Sequence, residues 1–259
     1  MALLTLTTGA IEYAWIGGTL PQSPPIVMLH EGLGSLCAWR EFPLRLAERT
    51  QRRVLAYSRY GYGESAPVSG PRKVAYMHDE AWIVLPALLQ RLGIKKPILF
   101  GHSDGASIAL IHAARHPVEC LVALAPHVFV EACSVQGIEA AKAAYATTDL
   151  RRRLARHHVD VDGAFRGWND AWLSPDFRSW NIEALLPDIE CPVLVIQGAG
   201  DEYGTHEQLR RIQQGAREVE LLLLPSCGHS PHRDEPEKVL ASVQNWLNRR
   251  AAKRPAPQQ

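Results

Sequence analysis

Pro97-Ile98-Leu99-Phe100-Gly101-His102-Ser103-Asp104-Gly105-Ala106 is the stretch whose reading decides the fold. Its first four residues suit a buried strand. From Ser103 onward, Ala106, Ile108, Ala109, Leu110, Ala113 and Ala114 supply good helix formers and an apolar face. A serine therefore stands where strand becomes helix. The chain must reverse there within about one turn, and Gly101 and Gly105 remove the Cβ atoms that would collide. This is the Gly-x-Ser-x-Gly nucleophile elbow, which lifts a hydroxyl to the carboxyl end of a parallel sheet and turns the next backbone N–H toward a developing oxyanion.

Working outward, Ile11 to Ile16, Ile26 to His30 and Arg53 to Ser58 read as strands on the amino side of the elbow. Trp39 to Arg49 is predicted as a helix between the last two, with Trp39, Phe42 and Leu46 facing inward. Val74 to Leu92 is predicted as a long helix interrupted at most by Pro86, and Gly93 ends it. On the carboxyl side, Pro117 ends the elbow helix and Leu121 to Ala125 is the next strand. Pro192 to Gln197 and Val219 to Leu224 are strands, the latter with the continuous apolar run of a parallel-sheet interior. Helices are predicted at Thr205 to Gly215 and Glu235 to Arg249. No internal repeat is present.

Between these halves, from His127 to about Leu186, the pattern offers no convincing strand. It offers helical stretches at Val130 to Tyr145, Asp149 to His158, Asp162 to Leu173 and Ile182 to Leu186. One helix would suffice for a crossover, so the segment reads as an inserted helical cap. The expected organisation is a core over 1–126 and 187–248, a cap over 127–186 and a disordered tail over 249–259.

A serine hydroxyl becomes a nucleophile when an imidazole takes its proton, and the imidazole needs an anion to orient it. After the strand ending at Gln197 comes Gly198-Ala199-Gly200-Asp201-Glu202, and after the strand ending at Leu224 comes Gly228-His229-Ser230-Pro231-His232. Asp201 is the candidate acid, with Glu202 as its backup, and His229 the candidate base, with His232 as runner-up. The chain order serine, acid, histidine is that of the elbow architecture. The oxyanion donors are expected to be the N–H groups of Asp104 and Gly32, with Leu33 as the alternative to Gly32. Glu31 is odd beside a forming anion; its side chain is expected to point away, toward Arg59 or a neighbour of the elbow.

Composition excludes several other classes. The 259 residues carry a formal net charge of +1, with 46% hydrophobic and 21% charged residues, so no field exists to hold a nucleic acid. The run Arg151-Arg152-Arg153 reads as a solvated helix face. No apolar segment approaches the roughly 20 residues that cross a bilayer, and the opening Met-Ala-Leu-Leu-Thr-Leu-Thr-Thr lacks the basic region of a signal peptide. The five cysteines have no zinc or CxxC spacing and suit free thiols in the cytoplasm. The eleven histidines include no His-Glu-x-x-His, and Gly61-Tyr62-Gly63 lacks both the dinucleotide fingerprint and the phosphate-loop lysine. Neither a metal nor a cofactor is expected.

The stretches His30-Glu31-Gly32-Leu33-Gly34-Ser35 with Trp39, Gly61-Tyr62-Gly63-Glu64-Ser65-Ala66-Pro67, Gly101-His102-Ser103-Asp104-Gly105, Gly198-Ala199-Gly200-Asp201 and Gly228-His229 together resemble the α/β-hydrolase superfamily, in its capped esterase and carbon–carbon hydrolase branch. The resemblance implies an eight-stranded, mostly parallel sheet with a cap after the sixth strand. It also implies a Ser103, Asp201, His229 triad and a Gly32 donor. Two positions depart from it: the family commonly has glycine where this chain has Glu31, and aspartate where it has Ser58. Relatives with an aspartate nucleophile, the epoxide hydrolases and haloalkane dehalogenases, fit less well because the apex here is Ser103.

The expected substrate is a small or medium, largely apolar carboxylic ester in a pocket with a few polar points. Glu31, Leu33, His127, Trp168, Asn169, Trp172 and Tyr203 are candidate lining residues. Trp168 and Trp172, four apart on one helix face, serve either cap packing or a substrate wall. A ring-cleavage dienoate, a thioester or a lactone is an alternative substrate for the same triad, and a non-catalytic ligand-binding protein is the alternative of another class. The sequence fixes no oligomeric state.

Overall fold

The computed structural model describes residues 1–20 and 22–252. Strands β1 (Ala2–Leu6) and β2 (Gly9–Ile16) form an antiparallel hairpin. β1 arises from the opening stretch, where the sequence pattern assigns no strand. It lies at the sheet edge with Leu3 exposed, so its side chains carry little of the alternation that marks a half-buried strand. β3 (Ile26–Leu29), α1 (Phe42–Thr50) and β4 (Val54–Tyr57) follow, α1 being preceded by a 3₁₀ turn at Cys37–Trp39. The helix over 76–91 is broken into α2 (Tyr76–Asp79), a wide π turn (Glu80–Val84) and α3 (Leu85–Arg91). Pro86 has no N–H to give the preceding turn, and the wider turn sits just before it.

The elbow strand β5 (Ile98–His102) leads into α4 (Asp104–Ala113), and β6 (Cys120–Leu124) follows. After the cap come β7 (Val193–Gly198), the later helices and β8 (Val219–Leu224). The eight strands are ordered β1-β2-β4-β3-β5-β6-β7-β8. β2 runs antiparallel to β4, and every pairing from β4 onward to β8 is parallel. Strands β3 to β7 are buried along their whole lengths, as parallel strands sandwiched between helices must be. Val27, Leu29, Leu99, Leu121 and Val195 meet the α4 side. Ile26, Met28, Ile98, Phe100, Val122 and Ile196 meet the opposite layer, which contains Phe42, Leu46, Val243 and Trp246. α4 is buried along its whole length, which explains why its sequence is apolar all round rather than striped. β8 corrects the expectation drawn from its apolar run. It is the other edge of the sheet, with Leu223 exposed.

Between β6 and β7 lie α5 (Ala132–Thr147), α6 (Leu150–Leu154), α7 (Val161–Leu173) and two 3₁₀ segments, Pro175–Ser179 and Glu183–Asp188. This is a helical cap inserted after the sixth strand. Its two roots are stitched together by a bridge between Phe129 and Asn181 and by the Ile182 N–H donating to the Val128 carbonyl at 2.8 Å. α7 is capped by Asp160, which accepts from the Gly163 N–H at 2.8 Å. The cap is clasped to the core by His158, whose Nδ1 accepts from the Gly63 N–H at 3.1 Å while its Nε2 reaches the Leu33 carbonyl at 3.0 Å.

After β7 comes α8 (His206–Gly215), and after β8 come α9 (Pro231–Asp234) and α10 (Pro236–Ala252). α10 extends past Arg249, where the sequence pattern ends it, because Arg249 and Arg250 pair with Glu220 and Glu218, both at 2.7 Å. The expected tail thus begins inside a helix, and its remainder, 253–259, lies outside the described residues. At Ser58, where the resembling family commonly has aspartate, a carboxylate still arrives from a neighbouring strand. Glu12 of β2 accepts from the Ser58 hydroxyl at 2.7 Å and from the Glu64 N–H at 3.1 Å.

Candidate active site

Ser103 sits between β5 and α4 with φ 51° and ψ −121°, a conformation strained for a residue with a side chain. The strain is held by packing that only glycine permits. A Cβ on Gly105 would stand 2.1 Å from the Leu29 carbonyl oxygen, and one on Gly101 2.4 Å from that of Gly105. The helix is thereby pressed onto the sheet and the serine side chain is turned outward.

The loops after β7 and β8 bring two more side chains to this point. His229 Nε2 lies 2.9 Å from Ser103 Oγ, and its Nδ1 lies 2.8 Å from Asp201 Oδ1. Asp201 is itself fixed: Oδ1 also accepts from the Tyr203 N–H at 2.9 Å, and Oδ2 from the Gln197 side-chain amide at 3.1 Å. Burial opposes ionisation of Asp201, but the hydrogen bond and charge of His229 with the Tyr203 N–H outweigh it and lower its pKa. An imidazole oriented in this way can accept the serine proton. The runner-up positions lie elsewhere. His232 is buried against Trp39 and His102, with ring centroids 4.8 Å away in each case, and burial holds it well below the usual histidine range. Glu202 is exposed at the cavity wall.

The loop after β3, where the sequence places a candidate oxyanion donor, is set by the Glu31 carbonyl. The Glu31 carbonyl oxygen receives His30 Nδ1 at 2.7 Å and an Arg59 guanidinium N–H at 2.8 Å. His30 Nε2 accepts from the Arg59 backbone N–H at 3.0 Å, so the ring is a neutral imidazole donating from Nδ1. Burial and then the Arg59 charge lower its pKa accordingly. A trans peptide points its N–H opposite to its C=O, so anchoring the Glu31 carbonyl on this side directs the Gly32 N–H away from it. Gly32, Leu33 and Asp104 all line the same cavity as Ser103. The Asp104 N–H opens α4, where helix geometry supplies no acceptor.

The Glu31 side chain turns to the elbow neighbour rather than to Arg59. Its Oε2 is 3.5 Å from His102 Nδ1, and its Oε1 is 3.1 Å from the Arg233 guanidinium. Burial would raise its pKa, but His102, followed by Arg233 and His232, holds it well below the usual carboxylate range. His102 Nε2 in turn reaches the His229 carbonyl at 2.7 Å. The Asp104 carboxylate is an anchor between core and cap. It accepts from the Tyr76 hydroxyl at 2.6 Å and from Trp172 Nε1 at 3.2 Å.

These groups surround a cavity of about 460 Å³. Glu31, Leu33, His127, Trp168, Trp172 and Tyr203 line it as the sequence suggests. Asn169 does not: it is buried within the cap, donating to the Ile138 carbonyl at 3.0 Å. Trp168 presses on the loop after β3 so closely that a Cβ on Gly32 would stand 2.0 Å from its indole nitrogen. Trp172 both lines the cavity and packs the cap. The expectation of a mainly apolar lining is corrected, since His102, Ser134, Arg153, Glu202, Ser230 and Arg233 also face it. Arg153 belongs to the run read as a solvated face, and its charge pattern alone could not show that its side chain reaches the cavity. His102 was legible as the second residue of the elbow itself. A larger cleft of about 610 Å³ lies elsewhere, around Lys96, Arg115, Glu119 and Arg217, and none of the elbow groups reaches it.

Fold and site together define a capped α/β hydrolase. The chain belongs to the alpha/beta hydrolase family, whose family model matches residues 26–242. It is similar to a proline iminopeptidase of Lactobacillus helveticus, 23% identical over 93% of this chain and 95% of the relative. It is also similar to the putative carbamate hydrolase RutD of Caulobacter sp. (strain K31), 29% identical over 95% of this chain and all of the relative. Among solved structures, VinJ superposes with a TM-score of 0.76 at 24% identity, covering 95% of this chain and 97% of VinJ. No helix among the described residues is long and apolar enough to cross a membrane.

Proposed function

We propose that the protein is a serine hydrolase that cleaves a small or medium carboxylic ester through an acyl-enzyme. The observation that carries this reading is the hydrogen-bonded line from Ser103 Oγ through His229 to Asp201, 2.9 Å and 2.8 Å long, on the wall of the cavity. His229 takes the Ser103 proton as the oxygen attacks the acyl carbonyl. Asp201 steadies the resulting imidazolium, and the Gly32 and Asp104 N–H groups receive the oxyanion, where losing one such donor costs about 2.7 to 4 kcal/mol in subtilisin. His229 then hands its proton to the leaving alcohol, and water repeats the sequence on the acyl group.

The relatives hydrolyse, by their names, different bonds, so family membership supports the chemistry more than the substrate. Two arginines at the cavity raise the alternative of an anionic dienoate. Arg153, 61% exposed, and Arg233, 48% exposed, already face Asp149 and Glu31, which keeps the ester reading first. The five cysteines are free, in keeping with a reducing compartment. A panel of p-nitrophenyl esters of graded acyl length, run beside thioesters, lactones and a dienoate, tests the reading, with a serine-reactive phosphonate to label Ser103. Turnover confined to the dienoate would replace the reaction, and a folded protein that neither labels nor turns over any substrate would remove it.

A further inference from the structure

His127 is a buried imidazole on the cavity wall that the mechanism above leaves unused. Only 2% of its surface is exposed, and its Nδ1 is buried without a partner. No hydrogen bond from its ring to a protein group is found among the described residues, although its backbone is firmly held. The Ser107 hydroxyl donates to the His127 carbonyl at 2.6 Å, and Ser107 Oγ accepts from the His127 N–H at 3.0 Å. The ring stands edge-on to Trp172 at 5.2 Å and 5.7 Å from the His229 ring. Burial, and then the nearness of His229, lowers its pKa to about 3, so near neutral pH it offers one N–H donor and one lone pair.

Ser134 of α5 flanks the same wall. It too is buried, at 1%, and lines the cavity. Its hydroxyl donates to the Tyr203 carbonyl at 2.6 Å, which leaves the oxygen lone pairs free to accept. A Cβ on Gly204 would lie 3.4 Å from the His127 ring, so His127 and Ser134 both adjoin one short segment, Tyr203-Gly204. An imidazole whose ring makes no hydrogen bond to the protein, and a serine oxygen with lone pairs to spare, are unused polar groups on one cavity wall. A ligand that supplies their missing partners is favoured.

We propose that His127 and Ser134 form a polar subsite beside Ser103 that selects esters carrying a hydroxyl group on the acyl chain, close to the scissile carbonyl, over plain alkyl esters. This rests on the ester-hydrolase reading and deepens it by naming the substrate class. A hydroxyl both donates and accepts, which matches one imidazole nitrogen and one serine oxygen. A site built for such a group disfavours the analogue that lacks it, because the buried polar atoms are then left unpaired.

The test compares p-nitrophenyl 3-hydroxybutyrate with p-nitrophenyl pentanoate, each rate divided by its alkaline hydrolysis rate. The wild-type chain, His127→Phe, His127→Gln and Ser134→Ala are assayed, with phosphonate titration counting competent sites in each. The wild type should favour the hydroxy ester about 10- to 100-fold in kcat/KM. His127→Phe should bring the ratio within about threefold of unity, Ser134→Ala should lower it about fivefold, and His127→Gln should restore part of it. A wild-type ratio near unity overturns the inference. So does a preference that survives in every variant the phosphonate still labels. Labelling without preference overturns the subsite alone, whereas absence of both labelling and turnover in the wild type removes the ester reading and the subsite with it.

Discussion

Two carboxylates each stand beside an imidazole near the elbow serine, Asp201 at 2.8 Å from His229 Nδ1 and Glu31 at a longer 3.5 Å from His102 Nδ1, and the two rings differ in what their far nitrogen meets. In Asp201–His229 that nitrogen faces Ser103 Oγ at 2.9 Å, a group that can give up a proton. In Glu31–His102 it faces the His229 backbone carbonyl at 2.7 Å, which can only accept a hydrogen bond. Both carboxylates are held below their usual range. The difference teaches that a carboxylate does not by itself make its histidine a base; the partner across the ring decides. Glu31–His102 is then a strut: it ties the loop after β3, through Glu31, to the backbone of His229.

The largest effect that tests this contrast is on the first pair. Ser103→Ala or His229→Ala should each lower kcat by about 10⁴- to 10⁶-fold, and the double variant should be little worse than either, because the residues act as one unit. Circular dichroism and thermal unfolding should show the fold retained. Additive losses in the double variant would mean that the two side chains act separately. Asp201→Asn should cost about 10³- to 10⁴-fold, since it takes away the anion that holds the ring and supports its charge.

Glu31→Gln sharpens the contrast from the other side. A strut transmits position rather than protons, so kcat should fall about 10-fold with KM little changed, the loss appearing as transition-state stabilisation alone. Glu31→Asp, which keeps the charge on a shorter arm, should recover part of it. A loss from Glu31→Gln as large as that from Asp201→Asn would erase the distinction between the pairs.

The same contrast marks how far the sequence could be read. Ser103, Gly101 and Gly105 were legible because an elbow demands small residues at fixed spacing, whatever the rest of the chain does. Asp201 and His229 followed from their places after strand ends. The second pair was legible only as a choice, Arg59 or a neighbour of the elbow, and the structure takes the elbow neighbour. Glu31 stood out as an unexpected charge, but choosing between those partners, and seeing that Arg233 joins them, depends on α9 and on how β5 aims His102, and neither leaves a spacing signal. The cap shows the same limit. Its helices announce themselves by pattern, yet that Trp168 presses on Gly32 while Asn169 turns inward depends on the rotation of α7, which the sequence leaves open to within one face. β1 and β8 were missed or misplaced for a simpler reason: apolar content does not tell an edge strand from an interior one.

The smallest effect concerns imidazoles that have no carboxylate partner at all. His112 is buried, its Nδ1 lies 2.8 Å from the Ala81 carbonyl, and its Nε2 has no partner. Burial lowers its pKa to about 4. The folded value lies below the ordinary one, so as pH falls from about 6.5 toward 4 the unfolded chain binds the proton first and stability is lost. Depressed carboxylates such as Asp201 act lower. Their contribution is present above the ordinary value near 4 and is lost as pH falls below it. Lowering the pH from 7 to 5 should therefore depress the thermal midpoint before those carboxylates titrate. His112→Asn keeps a donor for the Ala81 carbonyl but removes the titration. Its midpoint should fall less steeply over that interval, by the equivalent of up to one proton, about 1.4 kcal/mol per pH unit, or roughly 2 to 4 °C per kcal/mol for a chain of this size. Parallel curves for the variant and the wild type would show that His112 gains its proton in the folded chain as readily as in the unfolded one.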